Sequence, residues 1–195
     1  MENLTIIKAT ETTNSQKDIT AVFVEGYYDL LSMLYPYKDK LIAALLGGFS
    51  ESRFYIAYFG GKVVGITACS SNTGRALRLD KDRLCANVGE EVGNFAYDAM
   101  KDEFHKPIPY SDDTGYIECV ATMPEAQGKG VATKLMKHIM ETEPHSKFVL
   151  DVVDTNAAAR KVYEKLGFEV FDTIKEENPE VRGFNERLYM RIKKY

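Results

Sequence analysis

Glu118-Cys119-Val120-Ala121-Thr122-Met123-Pro124-Glu125-Ala126-Gln127-Gly128-Lys129-Gly130-Val131-Ala132-Thr133-Lys134-Leu135-Met136 decides how this chain is read. Residues 116–122 are rich in β-branched and aromatic types and contain neither Gly nor Pro, which predicts a strand. Pro124 has no N–H to give a ladder and ends it. Val131, Leu135 and Ile139 recur at helical spacing, so a helix follows the two glycines. Gly128 and Gly130 therefore stand where a helix exposes its first unpaired N–H groups and the positive end of its dipole. With no side chain there, an anion can reach the backbone. The stretch predicts a phosphate cradle.

Two familiar phosphate loops fit it poorly. A Walker loop needs G-x-x-x-x-G-K-[ST], whereas Lys129 lies between the glycines and no Ser or Thr follows it. The dinucleotide fingerprint G-x-G-x-x-G is matched at Gly128 and Gly130 but has Thr133 in third place. Asp151 lies at a suitable distance downstream, yet residues 123–127 separate the glycines from the strand where that fingerprint turns at once.

Gln127-Gly128-Lys129-Gly130-Val131-Ala132 resembles the Q/R-x-x-G-x-G/A signature of the GNAT superfamily of acetyl-CoA-dependent N-acetyltransferases, and its place after a Val-Ala-Thr strand end matches too. A second stretch supports the resemblance. Leu150-Asp151-Val152-Val153-Asp154-Thr155-Asn156, followed by Ala157 to Tyr163 and Leu166-Gly167-Phe168, looks like that family's strand, Asn, Tyr-bearing helix and Gly-Phe. The resemblance is detailed over residues 115–171 and general elsewhere. It implies an α/β GNAT fold: a mixed, mostly antiparallel twisted sheet of about seven strands with helices on both faces.

The chain has 195 residues, 45% of them hydrophobic, which fits one α/β domain over 1–195. A net charge of -4 and no polybasic stretch argue against nucleic acid or an anionic membrane as partner. Cys69, Cys85 and Cys119 have no metal-ligand spacing and read as reduced thiols in a cytoplasmic protein, with no metal expected. Met1-Glu2-Asn3 begins no signal peptide, and the longest apolar run, residues 41–49, is too short to span a bilayer.

In chain order, residues 4–9 predict a strand, 15–34 a long helix closed by Pro36, and 38–46 a short helix. Residues 53–58 and 62–69 predict a hairpin joined at Gly60-Gly61. Between the third and fourth strands, residues 72–114 exceed the compact family pattern. Leu84, Val88, Val92, Phe95, Ala99 and Met100 predict one inserted helix over 80–103, broken by Pro107 and Pro109. Such an insertion can be a packed cover or a lid over the acceptor pocket. Further on come a helix over 128–140, a strand over 146–153 and a helix over 156–166 capped by Gly167. Two strands follow at 168–174 and 184–192, around a polar loop at 175–183.

The implied chemistry sets requirements that named residues can meet. A lysine-like amine, with a pKa of about 10.4, must lose a proton before attacking a thioester, and the thiolate that leaves, at about 8.5, must regain one from an acid such as a phenol. The resemblance points to Glu118 as base and Tyr163 as general acid. Strand alternation places Glu118 and Val120 on one face and Cys119 on the other. Glu25, Asp29, Asp112 and Asp113 are substitute carboxylates. By the same resemblance Val120 and Thr122 pair with the pantetheine amides. Gln127, Gly128, Gly130, Val131, Ala132 and Thr133 surround the pyrophosphate, and Asn156 meets the pantetheine arm as well as capping its helix. Cys119 reads as a structural thiol and not an acyl carrier.

Acetyl-CoA is thus the expected cosubstrate. The expected acceptor is a primary amine of a small molecule, reached by direct transfer in a ternary complex, and the resemblance is compatible with a homodimer. Tyr27, Tyr28, Tyr35 and Tyr37 with Glu25 and Asp29 could line a pocket for an organic cation; they could equally be the core and rim of an amphipathic helix. Other readings kept open are a protein or peptide N-acetyltransferase and a non-catalytic acyl-CoA sensor or assembly module. Retained Glu118 and Tyr163 favour catalysis over a sensor.

Overall fold

A computed structural model describes residues 3–194, the side chain of Val181 excepted. The β-branched and aromatic runs form one seven-stranded sheet: β1 (Leu4–Lys8), β2 (Phe54–Phe59), β3 (Lys62–Ser70), β4 (Thr114–Thr122), β5 (Lys147–Val153), β6 (Glu169–Lys175) and β7 (Glu186–Lys193). Their order is β1-β2-β3-β4-β5-β7-β6, and every neighbouring pair is antiparallel except β4 and β5. The β2–β3 hairpin turns at Gly60 and Gly61, whose φ angles of +58° and +76° suit a residue without Cβ.

Helices cover both faces. On one side lie α1 (Ser15–Gly26), α2 (Tyr28–Leu31), α3 (Lys38–Leu45), α4 (Lys81–Val88) and α5 (Glu90–His105). There Ile19, Val22, Phe23, Leu41 and Leu84 pack on Phe54, Ile56, Ile66 and Ala68 of the sheet. On the other side α6 (Val131–Thr142) and α7 (Ala157–Lys165) bury Val131, Leu135, Met136, Ile139 and Tyr163 against Ile117, Phe148, Leu150, Leu188 and Met190. A short helix, α8 (Pro179–Arg182), occupies the β6–β7 connection that the sequence predicted as polar loop.

Two predicted helices are each broken, for local reasons. The helix over 15–34 stops at Gly26 and restarts at Tyr28, because Tyr27 leaves helical geometry (φ -111°, ψ 15°) beside a poor helix former. A Cβ at residue 26 would lie 2.6 Å from Ala121 Cβ, so glycine lets the end of α1 rest on β4. The inserted helix over 80–103 is two, α4 and α5, separated by Gly89 at φ +88°. Asp80 caps α4 by accepting from the Arg83 N–H (3.0 Å). α5 folds back so closely that a Cβ at Gly93 would sit 2.6 Å from the Cys85 backbone.

α6 approaches the sheet by the same device. A Cβ on Gly65 would stand 2.8 Å from Val131 Cγ1 and 3.0 Å from the Ala121 carbonyl oxygen. Gly65→Ala is therefore expected to cost about 1–3 kcal/mol by overpacking and to push the start of α6 off the sheet. Denaturant unfolding checks it; an unchanged unfolding midpoint would show that α6 yields without cost.

The parallel pair departs from a regular ladder. β4 and β5 pair only at Thr114↔Lys147, Gly115↔Phe148 and Tyr116↔Val149. Beyond these the strands diverge, and residues 117–122 have no partner on the β5 side. On its other side β4 carries a bulge: Ile66 faces Ala121 and Ala68 faces Glu118, with Cys119 at φ +56°. The bulge breaks the predicted alternation at one residue: Cys119, with Ala121, stays opposite Val120 as expected, but Glu118 pairs with Ala68 of the α1-side core and so does not share Val120's face.

Candidate active site

The split between β4 and β5 gathers the predicted residues. On the α6 side, Tyr163 is buried near Phe168 (ring centroids 6.3 Å), and its hydroxyl has no hydrogen-bond partner among the described residues. Burial, aided by the negative charge of Asp151, raises its phenol pKa. From the α1 side comes Tyr27, its ring tilted 31° against Phe23 with centroids 4.6 Å apart. Its phenol pKa is also raised, first by burial and then by the charges of Cys119, Tyr163, Asp151 and Glu118. Two phenols thus converge on one gap from opposite faces. Burial likewise raises the Cys119 thiol, which agrees with a structural role.

Glu118 faces the insertion. Its Oε2 accepts from Arg75 Nη2 at 2.7 Å, and its Oε1 accepts from the Ser70 hydroxyl and from the Ala76 N–H (3.1 Å). Arg75 and Glu118 side chains are only 13% and 9% exposed, so this is an ion pair inside the protein and not a surface pair of small value. Arg75 Nη1 also donates to the carbonyls of Glu103 (2.6 Å) and Lys106 (3.1 Å), which bolts the end of α5 to β4.

Asp151 stands on β5 at the split. It accepts from the Tyr116 hydroxyl and from Arg187, and Arg187 also pairs with Glu103 at 3.0 Å. Arg182 of α8 joins Glu103 from the other side at 2.9 Å. Of the substitute carboxylates, Glu25 pairs with Lys38 and Asp113 with Lys147; Asp112 accepts from Asn72. Asp112 and Asp113 precede β4, at the end away from the split. Asp29 is exposed.

The glycine-flanked helix start has the predicted backbone form, with α6 starting at Val131 and not at residue 128. Gly128 and Gly130 take φ values of +70° and +80°, and Gly130 is the left-handed N-cap. The first bond closing the helix runs from the Lys134 N–H to the Gly130 carbonyl (3.1 Å), so the N–H groups of Val131, Ala132 and Thr133 precede the helical ladder. Gln127 is exposed beside them. Asn156 caps α7 through Oδ1, which accepts from the Ala159 N–H (3.1 Å). Val120 and Thr122 both lie on the stretch of β4 that has no β5 partner.

Arg75, Asp151 and Arg187 were not identified as site residues from the sequence, and Tyr27 was read there as a possible wall of an acceptor pocket and not as a phenol at the split. Asp151 left a signal, being a carboxylate in the otherwise apolar core of Phe148-Val149-Leu150-Asp151-Val152-Val153. Arg75 left none, since it lies in a connection and meets its partners only through the fold.

Solved structures share this architecture. An N-acetyltransferase from Staphylococcus aureus Mu50 superposes with a TM-score of 0.63 at 21% identity, covering 96% of this chain and 100% of that one. The ribosomal-protein-S18-alanine N-acetyltransferase from Escherichia coli gives 0.58 at 14% identity, covering 97% and 93%. At these identities the likeness is one of fold. A 5-NmdU N-acetyltransferase from Pseudomonas phage PaMx11 is 46% identical over 46 residues, 24% of this chain; the match spans 33% of that relative's length. The acetyltransferase (GNAT) family model matches residues 23–168, which include the β4/β5 split and the glycine cradle, and the chain belongs to that family.

Proposed function

We propose that this chain is an acetyl-CoA-dependent N-acetyltransferase that moves an acetyl group to a primary amine of a small molecule by direct transfer in a ternary complex. The observation that carries this reading is the sheet opening after Tyr116↔Val149, with a glycine-flanked helix start at the end of β4 and a buried, unpaired phenol beside the gap. Bound acetyl-CoA supplies the thioester. The residues present suit it: Val120 and Thr122 offer free strand edge to the pantetheine amides. Gln127, Gly128, Gly130, Val131, Ala132 and Thr133 receive the pyrophosphate, and Asn156 lies along the arm. An N–H on the open edge of β4, at Val120, serves the developing oxyanion without reorganisation.

Tyr163 holds the proton that the leaving thiolate needs. Its raised pKa keeps that proton in place through neutral and mildly alkaline pH. Glu118 serves the acceptor side and takes the amine proton through water, because its oxygens are already engaged by Arg75, Ser70 and Ala76. Glu118→Gln is expected to lower kcat/KM by about 100-fold with acetyl-CoA affinity unchanged. A variant that keeps the wild-type kcat/KM would reduce Glu118 to the strut that anchors Arg75.

A nucleotide-like acceptor is supported by the name of the phage relative; peptide amines form the comparison class. Among the described residues no helix is long and apolar enough to cross a membrane. The deciding experiment follows thiol release from acetyl-CoA across a panel of amines, with calorimetric acetyl-CoA binding alongside. Amine-dependent release establishes the activity. Tight binding without release favours an acyl-CoA sensor.

A further inference from the structure

We infer that the acceptor is a planar, uncharged ring bearing a single primary amine, stacked on Tyr189 and Tyr110, and not a polycation. This rests on the acetyltransferase reading above and names its substrate class. In the residue set that could take an organic cation, Glu25 and Tyr28 are already filled from within: Lys38 Nζ lies 2.6 Å from Glu25 and 4.3 Å from the centroid of the Tyr28 ring. Around the split the carboxylates are matched in the same way. Glu118 is held by Arg75, Asp151 by Arg187, and Glu103 by both Arg182 and Arg187. The further ammonium groups of a polyamine or aminoglycoside find no unpaired carboxylate at the split; Asp172, which has no basic partner among the described residues, lies on exposed β6 two strands away from β5 and can hold one ammonium at most.

What this face still offers is aromatic surface. Asp151 lies directly across β5/β7 from Tyr189, and Tyr189 directly across β7/β6 from Asp172. Tyr110, from the insertion, stacks on Tyr116 at 6.2 Å and 23°, and Tyr116 donates to Asp151. Phe171 meets Tyr189 edge-on at 6.5 Å. Tyr110 and Tyr189 are half-buried, Phe171 is exposed, and β6 is exposed along its whole length. These rings form a ledge one cross-strand neighbour away from Asp151, whose charge also acts on Tyr27 and Tyr163 at the split. A flat ring on the ledge carries a short aminomethyl arm toward the gap. Asp172, with no basic partner among the described residues and one bond from the Thr173 N–H (2.8 Å), can accept from an N–H edge of a heteroaromatic ring.

The test compares benzylamine and 5-(aminomethyl)uracil with spermidine and kanamycin, by thiol release and by calorimetric binding to the full chain. The ring amines are expected to exceed the polycations at least tenfold in kcat/KM. Tyr189→Ala should raise their KM by about tenfold or more, the loss of one stacking partner, with acetyl-CoA affinity unchanged and with recovery in Tyr189→Phe. Preference for spermidine or kanamycin, or an unaltered KM in Tyr189→Ala, overturns the inference. Absence of thiol release with every amine sinks the acetyltransferase reading instead. The calorimetric arm then still decides this proposal, because ring-amine binding that weakens in Tyr189→Ala supports the ledge and its absence removes it.

Discussion

Tyr163→Phe is expected to lower kcat by about 100-fold or more while acetyl-CoA affinity stays the same. The thiolate that leaves has a pKa of about 8.5 and a phenol is an adequate donor to it; positioned proton transfer contributes two to four powers of ten. Only the hydroxyl is removed, and that hydroxyl has no hydrogen-bond partner among the described residues, so the ring's packing against Phe168 is kept. Burial and Asp151 raise the phenol pKa. The donor form therefore persists as pH rises through 8 and 9, and wild-type kcat should show no alkaline loss there from this group. Single-turnover thiol release with calorimetry separates the outcomes. Equal losses of turnover and cofactor affinity would mark Tyr163 as a packing residue, and no loss would transfer the donor role, with Tyr27 the next phenol to replace.

Gly130→Glu is expected to weaken acetyl-CoA binding by about 100-fold. The φ of +80° already costs a residue with Cβ about 1–2 kcal/mol, and the new carboxylate stands where the helix N-terminus favours a ligand anion. Gly130→Asn separates the two contributions, because Asn accepts left-handed geometry without adding charge. Calorimetric binding should fall steeply for Glu and modestly for Asn, with both proteins folded by circular dichroism. Equal affinity in all three would move the pyrophosphate away from α6.

The sequence reading was most accurate where local physics is decisive. The Gly60-Gly61 turn, the cradle glycines, the Asn156 cap and the Gly167 stop each depend on a few neighbouring residues, and each is found. Errors arise where the structure depends on distant contacts. The breaks at Tyr27 and Gly89 interrupt apolar patterns that run straight through them, and the bulge at Cys119 takes Glu118 off the face of Val120, which the sequence of β4 does not betray. Of the two readings kept open for the tyrosines of residues 27–37, the structure shows part of each: Tyr27 and Tyr35 pack against the core, while Tyr28 and Glu25 hold a cation that belongs to the same chain, Lys38. Arg75 shows the same limit, because no spacing in the sequence joins it to Glu118 and to the carbonyls of Glu103 and Lys106.

The three rungs that hold β4 to β5 give this sheet an edge in its middle. Unpaired strand edges invite other chains to zip onto them, and proteins usually blunt the outer ones. Here the outer edge is β6, roughened by its own register shift near Phe171, while the inner one is guarded by the Cys119 kink and by Tyr27 and Tyr163 on either side. A flat peptide strand that tried to zip onto this inner edge would meet the kink and the two rings before it could lengthen the ladder. On the proposed reading the pantetheine arm, one thin amide chain, is the guest the opening suits, and the protein carries an unpaired seam without becoming a template for its own aggregation.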